Sequence, residues 1–223
     1  MKKITWKEIG VFILFICIIS YLKSGTVLFV NYFENSTTKF LYTILAYLKD
    51  DPILRLIWIT PILFSVFLAC KNSYLYILNF SVRYKNRKTG YVKCMITHLL
   101  NISFFSIVAL IIQAVWIGGS AEKQLIYDGE TIKVILKYII ENITFSFTIL
   151  TLSIYFKNFI YAFIANVIAL LILMNISLIN VIPVVSLFAG YEINLVSIMS
   201  IIICMILIFN FYLKLDFLGG KDR

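Results

Sequence analysis

The sequence predicts an all-α integral membrane protein of one domain, residues 1–223, that crosses the bilayer six times with both ends in the cytoplasm. Three observations predict it. Hydrophobic residues make up 61% of the chain and charged residues 14%, against roughly 45–50% and about 25% in soluble domains. The apolar residues fall in long runs rather than in alternating segments of about ten, which favours helices over a membrane barrel. Lys and Arg gather in every second link between the runs, the pattern that orients a multi-span protein.

Span one covers about residues 9–33. Lys2, Lys3 and Lys7 precede it, and Trp6 suits the headgroup level. Ile9 to Leu22 alone is too short for the ~20 residues a crossing needs. No small-x-small cleavage site follows, so the segment is read as a retained helix rather than a signal peptide. Lys23 then lies roughly 21 Å along it, where its stem can snorkel outward. Between Asn35 and Asp51, Phe40, Leu41, Ile44, Leu45 and Leu48 recur at helical spacing, as in an amphipathic helix on the outer surface. Span two, 53–70, opens on Asp50-Asp51-Pro52, acids and proline at a helix start, and Pro61 is expected to kink it.

Residues 71–93 form a cytoplasmic loop, with Arg83, Lys85, Arg87, Lys88 and Lys93 unbalanced by any acid from Asn79 onward and Thr89-Gly90 as its expected break. Span three, 94–117, ends at Gly118-Gly119. An external loop of mixed charge leads to span four, 138–156. Lys157-Asn158 makes a tight internal turn into span five, 159–182. A short apolar external link precedes span six, 193–213. On this topology 13 of the 20 Lys and Arg, but only 3 of the 11 acids, lie inside. The net charge of +9 therefore reports topology rather than nucleic-acid binding.

No nucleotide-binding loop is present: Gly219-Gly220-Lys221 lacks the earlier glycine, and Asp222 follows it. One histidine, His98, is too few for a metal site, and at i+5 from Ser103 it shares no helix face with it. Cys17, Cys70, Cys94 and Cys204 all lie in or beside apolar runs, so neither disulfides nor zinc are expected. No cofactor is expected. His98 is placed near the cytoplasmic edge, as an interfacial residue or a pH sensor. Asn101, Gln113, Asn166, Asn175 and Asn210 either bond neighbouring helices or line a polar pathway, which Asn142 would join. Glu141 stands four residues after Lys137, as an ion pair at the membrane boundary or a coupling site. Tyr74, Tyr76, Tyr84 and Tyr91 suit an aromatic belt. The basic loop either orients the chain and touches anionic lipid or docks a soluble partner.

In layout the chain resembles the ABC-2-type permease subunits of bacterial ABC exporters: a short internal N-terminus, six spans, and a long internal loop between spans two and three. Arg83-Tyr84-x-x-Arg87, followed by Tyr91 and Lys93, looks like the coupling-helix region of small permeases in this group. The resemblance implies a non-enzymatic subunit working with a cytosolic ATPase and a second permease copy or related permease. The implied cargo is an amphipathic peptide or lipid-like molecule, in export or bacteriocin immunity. It assigns ATPase coupling to Arg83, Tyr84, Lys85, Arg87, Lys88, Tyr91 and Lys93. Abundant Ile, Asn and Lys fit a bacterial cell membrane of AT-rich genome. A membrane immunity or sensor protein without transport, and a small secondary transporter, are the rivals.

In a cysteine-free background, single cysteines at Asn35 and Ser120 should react with an impermeant maleimide from outside, and one at Asn86 only after permeabilisation. Labelling of intact cells at Asn86 would overturn this topology.

Overall fold

The computed structural model describes residues 5–28, 52–80, 87–120, 131–173 and 195–214. Among these the chain forms six α-helices and no strand: α1 Trp6–Leu28, α2 Pro52–Phe80, α3 Arg87–Ser120, α4 Thr131–Tyr155, α5 Phe159–Leu173 and α6 Leu195–Lys214. The expected surface helix at residues 40–48 lies outside the described residues, as do Arg83, Tyr84, Lys85 and Asn175. So do the side chains of Lys23, Arg55 and Arg87.

Local chemistry sets several of these ends. Thr5 caps α1: Glu8 N–H donates to Thr5 Oγ1 at 3.3 Å while Thr5 N–H donates back to Glu8 Oε2 at 3.0 Å, a reciprocal capping box. Pro52 opens α2, where its missing N–H costs nothing. The helix then runs unbroken through Pro61, and Ser65 Oγ donates to the Pro61 carbonyl at 2.7 Å. Between α4 and α5, Lys157 adopts a left-handed φ of 53°, which ends one helix. Asn158 Oδ1 accepts from the N–H groups of Ile160 and Tyr161 at 3.0 and 3.2 Å, which caps the next.

The helices overrun the apolar segments that mark them in the sequence. α2 continues past Cys70 to Phe80, and α3 begins at Arg87, so most of the expected loop 71–93 is helical. Thr89-Gly90, expected to break the chain, lies within α3. The physical reason is packing. Ser73, Tyr74 and Ile77 on α2 and Gly90, Tyr91, Cys94 and Met95 on α3 are buried, so a helical face continues inward where average hydropathy has already fallen. Burial of an amphipathic face outweighs the modest cost of glycine in a helix. Likewise α4 begins at Thr131 and carries Lys133 and Lys137 on its first turns, where a loop was expected.

Consecutive helices run in opposite directions, because their ends meet in alternation. Near one end Lys71 Nζ of α2 sits 3.7 Å from Glu8 Oε1 of α1. There Phe159, at the start of α5, packs on Phe67 and Tyr74 of α2. Tyr91 of α3 meets Phe209 and Tyr212 late in α6, and Tyr155 at the end of α4 meets Phe211. At the opposite end Tyr21 of α1 touches Trp116 of α3.

The exterior, rather than the core, sets this bundle apart from a soluble one. α4 packs against α2, α3, α5 and α6, and 61% of its apolar stretch is buried, against 22% for α6. The outward faces are apolar. On α3 the exposed residues Val92, Ile96, Leu100, Phe104, Ile107, Ile111 and Val115 recur every three or four positions. At 1.5 Å per residue that stripe is roughly 35 Å long, close to the ~30 Å of a bilayer's hydrocarbon core. The segments Lys88–Trp116, Ile135–Tyr155 and Leu195–Tyr212 are long and apolar enough to cross a membrane. Among the described residues the protein is an all-helical bundle whose apolar exterior suits a membrane.

Replacing Asn158 by Ala should cost about 1 kcal/mol of stability through loss of the cap. Lys157→Gly should leave stability unchanged or raise it by up to about 1 kcal/mol, because glycine holds a left-handed φ without strain. Thermal unfolding of the purified protein in detergent reads both.

Candidate functional site

An apolar exterior makes buried polar side chains costly, since each must find its partner inside the protein. Most hydroxyls on α4 answer locally: Thr144, Thr151 and Ser153 donate to the carbonyl four residues back, and Ser146 and Thr148 to the one three back, all at 2.7–2.8 Å. Such back-bonding keeps the helix intact. Beyond it, polar groups from several helices converge at two levels.

The first level lies toward the end bearing Lys71, Lys88 and Lys93. His98, fully buried on α3, has its Nδ1 2.8 Å from Ser73 Oγ of α2 and its Nε2 3.1 Å from Ser146 Oγ of α4. Ser146 spends its own proton on the Ile143 carbonyl at 2.8 Å. Ser146 Oγ therefore accepts from Nε2–H, and in the neutral ring that leaves Nδ1 to accept from Ser73. The Ala69 carbonyl, one turn before Ser73, also faces the ring, and Phe147 packs edge-on against it at 4.9 Å. Cys70 Sγ donates to the Ser146 carbonyl at 3.2 Å. One imidazole thus ties α2, α3 and α4 together. The expectation of an interfacial His98 is corrected: α2 extends far enough to enclose it.

The second level lies at the other end, where α4 and α6 begin and α3 is ending. Glu141, fully buried, accepts from Ser197 Oγ of α6 at 2.7 Å, and Thr144 Oγ1 lies 3.3 Å from the Ser197 carbonyl. Glu141 thus joins α4 to α6 inside the bundle, and Lys137, four residues before it, is buried with it. Tyr138 and Asn142 of α4 face Gln113 of α3. All three are buried, and Gln113 Nε2 donates to the Ala109 carbonyl at 3.0 Å.

Of the expected polar seam, then, the fold brings Gln113, Glu141 and Asn142 to one level. Asn166 instead donates to the Ala162 carbonyl of its own helix at 2.8 Å. Asn101, half-buried on α3, stands about 18 Å along that helix from Gln113. Sequence reasoning missed Ser73, Ser146, Tyr138 and Ser197, because serines and tyrosines scattered through apolar runs carry no spacing that distinguishes a partner from a bystander.

The basic end divides by helix face. Lys88 and Lys93 are exposed, but Tyr91 is buried and donates from its hydroxyl to the Met205 carbonyl of α6 at 2.7 Å. Tyr91 was expected in an aromatic belt or, by the resemblance, in the coupling region. Its side chain turns inward as a strut to α6, because it shares a helix face with Cys94 and Met95. Among the described residues no three His, Cys, Asp or Glu side chains converge as metal ligands.

No protein-family model matches the chain, and neither a curated protein nor a solved structure does.

Ser73→Ala should destabilise the protein by about 1–3 kcal/mol, since a buried ring nitrogen loses its partner. Thr97→Ala, an exposed hydroxyl one position before the histidine, should stay within about 0.5 kcal/mol of the parent. Thermal unfolding in detergent compares the two.

Proposed function

We propose that this chain is the six-span permease subunit of an ATP-driven ABC exporter in a bacterial cell membrane, moving an amphipathic peptide or lipid-like cargo outward. The observation that carries this reading is the helical extension of α2 and α3 beyond the His98 level. From Ser73 to Phe80 and from Arg87 to His98 the two helices run on for roughly 10 and 16 Å at 1.5 Å per residue, with exposed Lys88 and Lys93 on the second. A rigid basic projection suits the transmission of a push from a soluble partner into the core. Tyr91 braces the projection against α6, and the His98 node beyond it carries displacement into α4. Pro61, within α2, is the place where that helix can bend.

The interior between α1, α2, α3 and α4 is filled by Phe12, Ile62, Phe105 and Phe147, all buried. Cargo would therefore pass between two permease chains rather than through one, in keeping with a paired assembly. The same filled interior also suits a second reading, a membrane immunity or sensor protein that binds a toxin without transport and has no ATPase.

One experiment separates these. The triple substitution of Arg83, Tyr84 and Arg87 by alanine leaves Lys71, Lys85, Lys88 and Lys93 to keep the chain oriented. The variant should insert normally yet lose co-purification with an ATPase encoded beside it, and export should fall with it. Retention of both ATPase and export at parental levels would move coupling elsewhere, first to Lys157-Asn158. Absence of any ATPase from the parent's own membrane complexes would favour the immunity reading.

A further inference from the structure

Three buried polar atoms cluster where α3 ends and α4 begins. Tyr138 Oη, Asn142 Oδ1 and Asn142 Nδ2 find no hydrogen-bond partner among the described residues, though Tyr138 and Asn142 are 1% and 0% exposed. Tyr138 faces both Asn142 and Gln113, but the geometry closes no hydrogen bond to it. Rotating the Asn142 amide by a half-turn does not help, because its oxygen and its nitrogen are both unmatched. Gln113 has committed its Nε2 to the Ala109 carbonyl. Leaving such groups dry forfeits their full solvation, so a ligand belongs here.

The surroundings define its chemistry. Lys137 and Glu141 flank Tyr138 and Asn142 on adjacent turns of the same helix and are buried with them. Their opposite signs leave no net charge to draw in an ion. The unmatched atoms supply one acceptor, one amide donor and one hydroxyl that can act either way. A neutral guest that both donates and accepts satisfies all of them. Residues this deeply enclosed admit only a small one. Water meets these polar conditions, and two to four polar partners are what a buried water requires.

We propose that Tyr138, Asn142 and Gln113 form a hydration site between α3 and α4, which holds ordered water inside the bundle beside the Glu141–Ser197 link. The site gives α3 and α4 a seam joined through water rather than by direct interlocking, at the end where α6 is fastened to α4. Water-bridged contacts are enthalpically close to direct ones yet adapt to small shifts, so this is where the two helices can slide without stranding polar groups. The inference stands independently of the permease reading.

Hydroxyl-radical footprinting in ¹⁸O-labelled water tests it, because radicals made from bound water modify the side chains that touch that water. The full chain is irradiated in lipid nanodiscs. Tyr138 should be labelled well above Phe105 and Phe147, aromatic rings buried to 0% exposure that carry no polar atom. Asn142→Leu should abolish the labelling of Tyr138 while Phe105 and Phe147 stay protected. Gln113→Leu serves as the second variant should Asn142→Leu fail to accumulate, and it should weaken the labelling. A Tyr138 as protected as the two phenylalanines overturns the proposal. So does labelling that is unchanged in whichever variant is obtained.

Discussion

A polar atom that cannot reach water must be matched inside the protein, and this bundle is arranged around that requirement. The outward faces of α1, α3, α5 and α6 carry Val, Ile, Leu and aromatic side chains, so polar groups have only the interior to turn to. α4 takes half of those buried among the described residues. Its hydroxyls bond back to the preceding turn, and those of Ser146 and Thr144 also reach α3 and α6, while the Ser146 carbonyl meets α2. The apolar contacts that surround them, such as Phe12 on Phe105 with ring centroids 4.9 Å apart, add packing but little direction. Between apolar helices in a lipid-like setting hydrophobic burial discriminates poorly, whereas a hydrogen bond fixes register.

Two levels of polar contact follow from this, and they differ in kind. Within the chain that runs from Ser73 through His98 and Ser146 to the Ile143 carbonyl every proton has a destination. A fully satisfied network of this sort rigidifies its surroundings. At the Glu141 level the link to Ser197 is closed, but the neighbouring Tyr138 and Asn142 are not matched by protein atoms among the described residues. One end of the core is thus pinned and the other is looser, a division that suits a protein whose helices are pushed from one side.

The basic end shows how a helix face sorts residues that a linear motif groups together. Arg87, Lys88, Tyr91 and Lys93 read as one stretch, yet Lys88 and Lys93 point outward while Tyr91 braces α3 against α6. The cations and the tyrosine therefore have separate roles, the first facing the solvent or headgroup layer and the second transmitting position between helices. A partner docking on this end would meet the cations and would act on the core through the strut.

Much of this architecture was legible in the sequence. The long apolar runs announced an all-helical membrane protein, because a backbone surrounded by hydrocarbon must satisfy its own hydrogen bonds and a helix does so within one segment. Lys157-Asn158 read as a tight turn for a local reason, since an asparagine side chain can cap the helix that follows it. Helix ends were less legible: hydropathy falls at Cys70 and rises again at Cys94, but amphipathic packing carries both helices across that interval. The partners of His98, Glu141 and Tyr91 were not legible at all. Ser73 and Ser146 stand 25 and 48 residues from His98, Ser197 stands 56 from Glu141, and Met205 stands 114 from Tyr91. The sequence by itself determined that the apolar runs within the described residues are helical, because that property belongs to single segments. Only the tertiary structure decided which polar residue meets which, because that depends on how separate helices are rotated and staggered against one another.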